Sequence, residues 1–217
     1  MGVEFNELFD QWAASYDAAV AGQHPEYREV FEKYTDILNR VVRTLSLPQG
    51  SRVLEIGVGT GNLTHRLIQA GYEVTGVEPS LEMRRQALQK LPRLNLYPGH
   101  FLDLPNGNYD GVVSTYAFHH LTDPEKETAL EMLAERLGPK GRIIFADTMF
   151  RDDETKSARI QEAERRGMKE LAADLRREYY PTLPVMKKIT QKAGLKAEFI
   201  PLNRYVWLME ARKNLAE

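Results

Sequence analysis

The chain has 217 residues, 42% of them hydrophobic, a formal net charge of −2 and no cysteine. That length suits one α/β domain, and near-balanced charge implies no general affinity for polyanions. Disulfides, thiol catalysis and thiolate metal sites are excluded, no apolar run approaches the roughly 18 residues of a membrane span, and the acidic start Met1–Asn6 carries neither a basic secretory segment nor a myristoylation pattern, so a cytoplasmic protein is expected.

Phe5, Leu8, Phe9, Trp12 and Tyr16 recur at steps of three and four and predict a first helix. Tyr27, Val30, Phe31, Tyr34, Ile37, Leu38, Val41 and Leu45 predict a second, ended by Pro48 and Gly50. A βα alternation follows. A strand at about 52–57 precedes a helix through Ile68 stopped by Gly71; a second strand at about 73–78 precedes a helix capped by Ser80 and stopped by Pro92. Strand three is expected at about 94–97 and strand four at 110–114. Asp123 and Pro124 read as cap and first turn of a helix carrying Leu130, Leu133 and Leu137, with Gly138-Pro139 as its end, and strand five spans about 142–147. One charged helix is expected over 154–178, another over 183–193 with Thr182 as cap, and the runs 197–201 and 205–210 read as a hairpin. Arg165-Arg166, Arg176-Arg177 and Lys187-Lys188 are matched by interspersed acids, a solvated face rather than a nucleic-acid surface.

The chemistry concentrates at strand ends. Gly57, Gly59 and Gly61 directly follow strand one, where glycine takes positive φ cheaply and lets a ligand approach without a Cβ in the way. A dinucleotide turn spaced G-x-G-x-x-G would carry its third glycine where this chain has Asn62. Glu78, at the end of strand two, occupies the place from which an acid hydrogen-bonds ribose hydroxyls in α/β nucleotide sites. After strand four, His119 and His120 titrate near neutral pH and can take a proton from a hydroxyl or amine; Asp147 at the end of strand five is a further candidate base. The histidine pair has no third partner at metal-ligand spacing, so no metal is expected.

The run Glu55-Ile56-Gly57-Val58-Gly59-Thr60-Gly61-Asn62 resembles motif I of the class I S-adenosylmethionine-dependent methyltransferases. The segments Trp12-Ala13-Ala14-Ser15-Tyr16-Asp17 and Tyr116-Ala117-Phe118-His119-His120-Leu121 are similar to a narrower group, the YrrT-like methyltransferases of Gram-positive bacteria. The resemblance implies S-adenosylmethionine as cofactor. It also implies a Rossmann-like, doubly wound, mostly parallel seven-stranded sheet with an antiparallel C-terminal hairpin and N-terminal helices. The division it implies is a helical lid at 1–47, a cofactor-binding core at 51–150, a helical substrate-side insertion at 151–193 and a hairpin at 196–211, all in one domain.

By the same resemblance Glu55, Gly57, Gly59, Thr60, Gly61 and Asn62 belong to the turn that wraps the methionine part of the cofactor, Glu78 takes the ribose hydroxyls, Pro79, Met83 and Thr115 are further cofactor contacts, and Tyr16 lies over the cofactor as part of a lid. The slot usually held by an aspartate that accepts from the adenine amino group is His100 here, whose one acceptor nitrogen could serve, with Phe101 beside it. Trp12, Tyr116 and Tyr179, with Tyr180 next to it, are expected on the substrate side. The expected reaction is direct in-line methyl transfer to a small-molecule acceptor by a monomer or homodimer. A nicotinamide-dependent oxidoreductase and a non-catalytic S-adenosylmethionine-binding module are the alternatives.

Overall fold

The computed structural model describes residues 13–214; Trp12 lies outside them. Seven strands form one sheet: β1 (Arg52–Ile56), β2 (Glu73–Val77), β3 (Asn95–Tyr97), β4 (Tyr109–Thr115), β5 (Leu137–Thr148), β6 (Leu195–Pro201) and β7 (Val206–Lys213). Their spatial order is β3-β2-β1-β4-β5-β7-β6. The first five pair in parallel, and β7 runs antiparallel to both β5 and β6. The expected architecture is therefore present, antiparallel hairpin included.

The helices are α1 (Tyr16–Val20), α2 (Tyr34–Leu45), α3 (Asn62–Gln69), α4 (Leu81–Lys90), α5 (Asp123–Arg136), α6 (Asp153–Arg165), α7 (Lys169–Arg177) and α8 (Leu183–Lys192), with a 3₁₀ turn at Phe118–His120. Side chains alternate across the strands and split the core in two. Val53, Val113, Ile144, Ala146 and Leu208 meet α2, α3 and the α6–α7 segment on one face. Leu54, Ile56, Val112, Ile143, Phe145 and Met209 meet α5 and α8 on the other. Both faces are covered, as a parallel sheet requires.

Four boundaries differ from the sequence reading. The second helix starts at Tyr34 rather than near Tyr27, because Lys33 sits in the left-handed region (φ 62°). Tyr27, Val30 and Phe31 are nevertheless buried, in turns. The charged helix is two helices. Gly167 takes φ 72°, donates to the Glu164 carbonyl, and lets Met168 N–H reach the Ala163 carbonyl, a Schellman stop that turns the chain. Thr122, not Asp123, caps α5: its N–H donates to Glu125 Oε2 at 2.8 Å and its hydroxyl lies 2.9 Å from the same oxygen. Leu137 begins β5 rather than closing α5, pairing with Tyr109 before a register shift, so Gly138-Pro139 lie within an irregular strand start.

Candidate active site

The C-terminal ends of β3, β2, β1 and β4 lie side by side, and a cleft holding about 1100 Å³ of space between atoms, part of it open to solvent, runs along them. This is where open α/β sheets bind ligands. Its walls include Gly57, Gly59, Glu78, Pro79, Met83 and His100 at one end. Tyr16, Phe31, Tyr116, His119, Glu178 and Tyr180 form the other.

The glycine turn leaves β1 with all three glycines at positive φ, between 56° and 88°. Each glycine serves a different purpose. A Cβ on Gly57 would come within 2.7 Å of the Ala117 Cβ, so glycine there lets the β4 loop close against the turn. A Cβ on Gly61 would press on Leu91 at 3.3 Å. A Cβ on Gly59 would meet nothing within 4 Å, although Gly59 lines the cleft. Its missing side chain faces open space rather than protein.

Glu78 is buried and its carboxylate is held by backbone. Oε2 accepts from Gly59 N–H and Oε1 from Ser80 N–H, each at 2.9 Å. These two backbone donors orient the carboxylate at the strand end. Glu55 lies beneath the turn, off the cleft wall and buried, with Oε2 unpartnered. Burial, together with the charge of Glu78, pushes its pKa up to about 8.

Thr60 and Asn62 direct their side chains away from the cleft. Thr60 Oγ1 and Asn62 Nδ2 donate to Asp17 Oδ1 at 2.6 and 3.0 Å, and Lys90 Nζ reaches Asp17 Oδ2 at 2.7 Å. Partial burial opposes it, but Lys90, Thr60 and Asn62 together hold the Asp17 carboxyl below its usual range. Asp17 thereby fastens α1 to the glycine turn and leaves Tyr16 on the cleft wall. Phe101 belongs mainly to the core, its ring centroid 5.1 Å from Phe118 and 5.8 Å from Phe145. Thr115 lines the cleft between the two ends.

The two histidines each face a carboxylate. His119 Nδ1 lies 2.5 Å from Asp147 Oδ1, and its backbone N–H donates to Asp147 Oδ2 at 3.0 Å. Burial pulls the His119 pKa down, but the Asp147 carboxylate outweighs it and the ring titrates above its ordinary value. Burial likewise opposes ionisation of Asp147, and His119 more than compensates, holding that carboxyl low. Asp147 is absent from the cleft wall; it stands behind the imidazole, toward Met186 and Trp207. The His119 ring stacks on Tyr180 at 4.7 Å between centroids.

His120 Nδ1 lies 2.9 Å from Glu178 Oε2, and the two histidine rings are 4.0 Å apart. Burial and the neighbouring His119 depress His120 to about 4, so the neutral ring donates Nδ1–H to Glu178. The sequence spacing offered the histidines no third ligand, yet the fold supplies one. One donor atom each of His119, His120 and Glu178 lies within 4.8 Å of the others. Each histidine Nδ1 also faces a carboxylate at hydrogen-bond distance, that of Asp147 for His119 and that of Glu178 for His120.

Several wall residues were not singled out in the sequence. Glu178, Asp174 and Arg177 come from the end of α7, 54 or more positions beyond His120, and no local pattern marks them. Arg177 Nη2 reaches Asp174 Oδ1 at 2.5 Å, and Tyr27 donates its hydroxyl to Asp174 Oδ2. Tyr179 is exposed, and its backbone N–H donates to the His119 carbonyl at 3.1 Å; its neighbour Tyr180 is the one that lines the cleft. Tyr116 sits at φ 54°, costly for a bulky residue, with its hydroxyl buried and unpartnered.

Residues 26–198 match the model of a methyltransferase-domain family. The chain is 49% identical over 215 residues to an uncharacterized methyltransferase of Anoxybacillus flavithermus, spanning 98% of this chain and all of that one. Among solved structures it is similar in fold to magnesium protoporphyrin IX methyltransferase of Synechocystis with bound S-adenosylhomocysteine (TM-score 0.72, 19% identity, 97% and 98% of the two chains). It is also similar to a Haloferax volcanii methyltransferase in complex with its Trm112 activator (TM-score 0.69, 21% identity, 95% and 98%). Among the described residues no helix is long and apolar enough to cross a membrane.

Proposed function

The chain belongs to the methyltransferase-domain family, and from that premise we propose that it transfers the methyl group of S-adenosylmethionine, in one in-line step, to a small, mainly apolar acceptor bearing a protic nucleophile. The observation that carries this reading is a single cleft with the glycine turn and Glu78 at one end and the His119–Asp147 pair at the other.

The residues fit such a cofactor. Space opens at Gly59, and the Glu78 carboxylate, oriented by backbone donors, lines the cleft at the neighbouring strand end, where it would face ribose hydroxyls. When bound there, S-adenosylmethionine supplies a methyl group already activated on a sulfonium, so no covalent enzyme intermediate is needed. The chain's share of the work is positioning, water exclusion and proton removal. Well-oriented contact of this kind is worth about 7–11 kcal/mol of barrier. Tyr16, Phe31, Tyr116 and Tyr180 provide an aromatic chamber for the acceptor, with Tyr16 held over it as part of a lid by the Asp17 anchor. His119 is the base. Its Nδ1 is committed to Asp147, which leaves Nε2 to take the acceptor's proton, and the Asp147 carboxylate stabilises the imidazolium that forms. Asp147 is a positioning residue, since it stands behind the ring. His120, neutral and bonded to Glu178, braces the wall.

Two measurements test the reading. In thermal shift, S-adenosylhomocysteine at 100 times its dissociation constant should stabilise the protein by about 2.7 kcal/mol, and NAD should not. Incubation with methyl-labelled cofactor and a metabolite panel should then yield a labelled small product. Stabilisation by NAD instead refutes the cofactor; binding without any labelled product makes the chain a sensor rather than an enzyme.

A further inference from the structure

His120 and Glu178 lie 58 positions apart in the chain, yet the segments that carry them are fastened together from behind. Lys126 is fully buried. Its Nζ donates to the Leu121 carbonyl, just past the histidines, and to the Tyr179 carbonyl at 2.7 Å, just past Glu178. Tyr179 N–H in turn donates to the His119 carbonyl at 3.1 Å. A buried ammonium is tolerated only where oxygens take its protons, and here those oxygens fix the spacing of two segments. The result is that His119, His120 and Glu178, all buried, bring one donor atom each to within 4.8 Å of the others.

Two imidazoles and one carboxylate suit zinc, which takes three such ligands and keeps a fourth position open. They do not suit magnesium, which prefers oxygen and water. Donors on one tetrahedral zinc ion, with bonds of about 2.0–2.2 Å, lie about 3.4 Å apart. His120 Nδ1 and Glu178 Oε2 are already 2.9 Å apart. An ion there replaces the proton that these two atoms share, and the ring then carries its proton on Nε2. Arg177 approaches Glu178 at the other oxygen, Oε1, at 3.4 Å. His119 turns Nδ1 to Asp147 Oδ1 at 2.5 Å, and that carboxylate stands behind the ring, off the cleft wall. A zinc-bound histidine almost always donates its second N–H to such a partner, so Nε2, on the far side of the ring from Asp147, is the nitrogen left to coordinate. Stacking on Tyr180 holds the ring plane. Asp147 and Glu178 together balance the ion's two positive charges.

We propose that His119, His120 and Glu178 bind one zinc ion, and that the loaded chain is shut off for methyl transfer. Zinc on His119 Nε2 takes the lone pair that removes the acceptor's proton, so ion and proton exclude each other. This second half rests on the base assigned above; the binding site does not. The glycine turn and Glu78 lie at the opposite end of the cleft, so cofactor affinity is unaffected.

Titration of the metal-free protein with zinc chloride tests the site. Calorimetry should give one ion per chain, and millimolar magnesium chloride should not compete. X-ray absorption at the zinc edge should show two imidazoles around the ion. Asp147→Asn should weaken zinc about 10–100-fold, the cost of a lost outer carboxylate, and His120→Ala and Glu178→Gln should weaken it more. One equivalent of zinc should lower formation of the labelled product by about 10²–10⁴-fold, as loss of the base would, while affinity for S-adenosylhomocysteine stays within about twofold. EDTA should restore transfer. No stoichiometric binding, or an ion without two imidazole neighbours, overturns the site even if no variant folds. Zinc that binds there and leaves transfer level, or raises it, overturns the shut-off. A chain that takes zinc at these residues but not S-adenosylhomocysteine keeps the metal site and loses the cofactor reading.

Discussion

At the β1–β3 end of the cleft, the wall is made from short runs that each leave one strand: 57–61, 78–83 and 99–103. Its polar contacts are largely to backbone, from Gly59 N–H, Ser80 N–H and Leu102 N–H. At the β4–β5 end, residues 16–31, 115–120 and 174–180 meet only in the folded chain, and the polar contacts pair side chain with side chain, His119 with Asp147 and His120 with Glu178. Backbone donors suit a ligand that never changes, because a turn's N–H groups barely move and cost little to preorganise. Paired side chains suit proton movement and can be varied one at a time. The contrast predicts that substitutions at the first end are read in binding and those at the second in turnover.

The largest expected effect separates the two ends most sharply. His119→Ala should lower methyl transfer by about 10²–10⁴-fold, the range of a lost general base, while calorimetric affinity for S-adenosylhomocysteine stays within about twofold. Loss of cofactor affinity instead would break the division.

At the other end, two glycines should respond differently. Gly57→Ala forces a Cβ to 2.7 Å from Ala117 at φ 77° and should destabilise the fold by about 1–3 kcal/mol, seen as a lower thermal midpoint. Gly59→Ala meets no protein atom, so it should cost less stability and more affinity for S-adenosylhomocysteine. Equal thermal loss from both would refute the view that Gly59 is kept for the ligand.

Glu78→Ala should weaken S-adenosylhomocysteine at least tenfold, about 1.4 kcal/mol for a charge-assisted hydrogen bond. Unchanged affinity would remove that carboxylate from the site.

Asp147→Asn sharpens the other half. The carboxylate raises the His119 pKa against burial, so the base becomes neutral, and the rate climbs, only above the ordinary imidazole range. In the variant only Glu178 still opposes burial, so the rising limb of the pH–rate profile should move to lower pH, and the plateau should drop. A limb that stays in place shows that another group titrates.

Glu55 lies outside both ends and gives a stability readout alone. Its folded pKa, about 8, is raised above the ordinary 4.5, so its contribution is fully present below pH 4.5 and is lost as pH rises toward 8. Glu55→Gln should therefore lose less thermal stability between pH 5 and 8 than the unaltered chain, a difference on the order of 1–3 kcal/mol. An identical pH profile would show that the buried carboxyl is not titrating over that range.

Much of the fold was legible because its signals are local. The apolar strands, the glycine stops at Gly71 and Gly194, and the hairpin runs each depend on a few neighbouring residues, as does the turn at 57–61. Where two local signals competed, the outcome needed the fold. Gly167 broke an otherwise continuous helical pattern by taking a left-handed cap, and Thr122 displaced Asp123 as cap because Glu125 could answer it. The β4–β5 end was legible only in part. His119, His120 and Asp147 stood out as titratable residues after strands, but nothing in spacing says which carboxylate faces which imidazole.

The order of residues alone decides the strand-end glycines and the acid at 78, since positive φ and a one-strand offset are properties of the local chain. It also suffices for the family. Only packing over long separations decides that Thr60 and Asn62 turn to Asp17 rather than into the cleft, that Tyr180 and not Tyr179 faces it, and that Glu178 reaches His120 from 58 positions away. The physical reason is that a side chain's direction and protonation depend on the charges and buried surfaces around it, which exist only once distant segments have met.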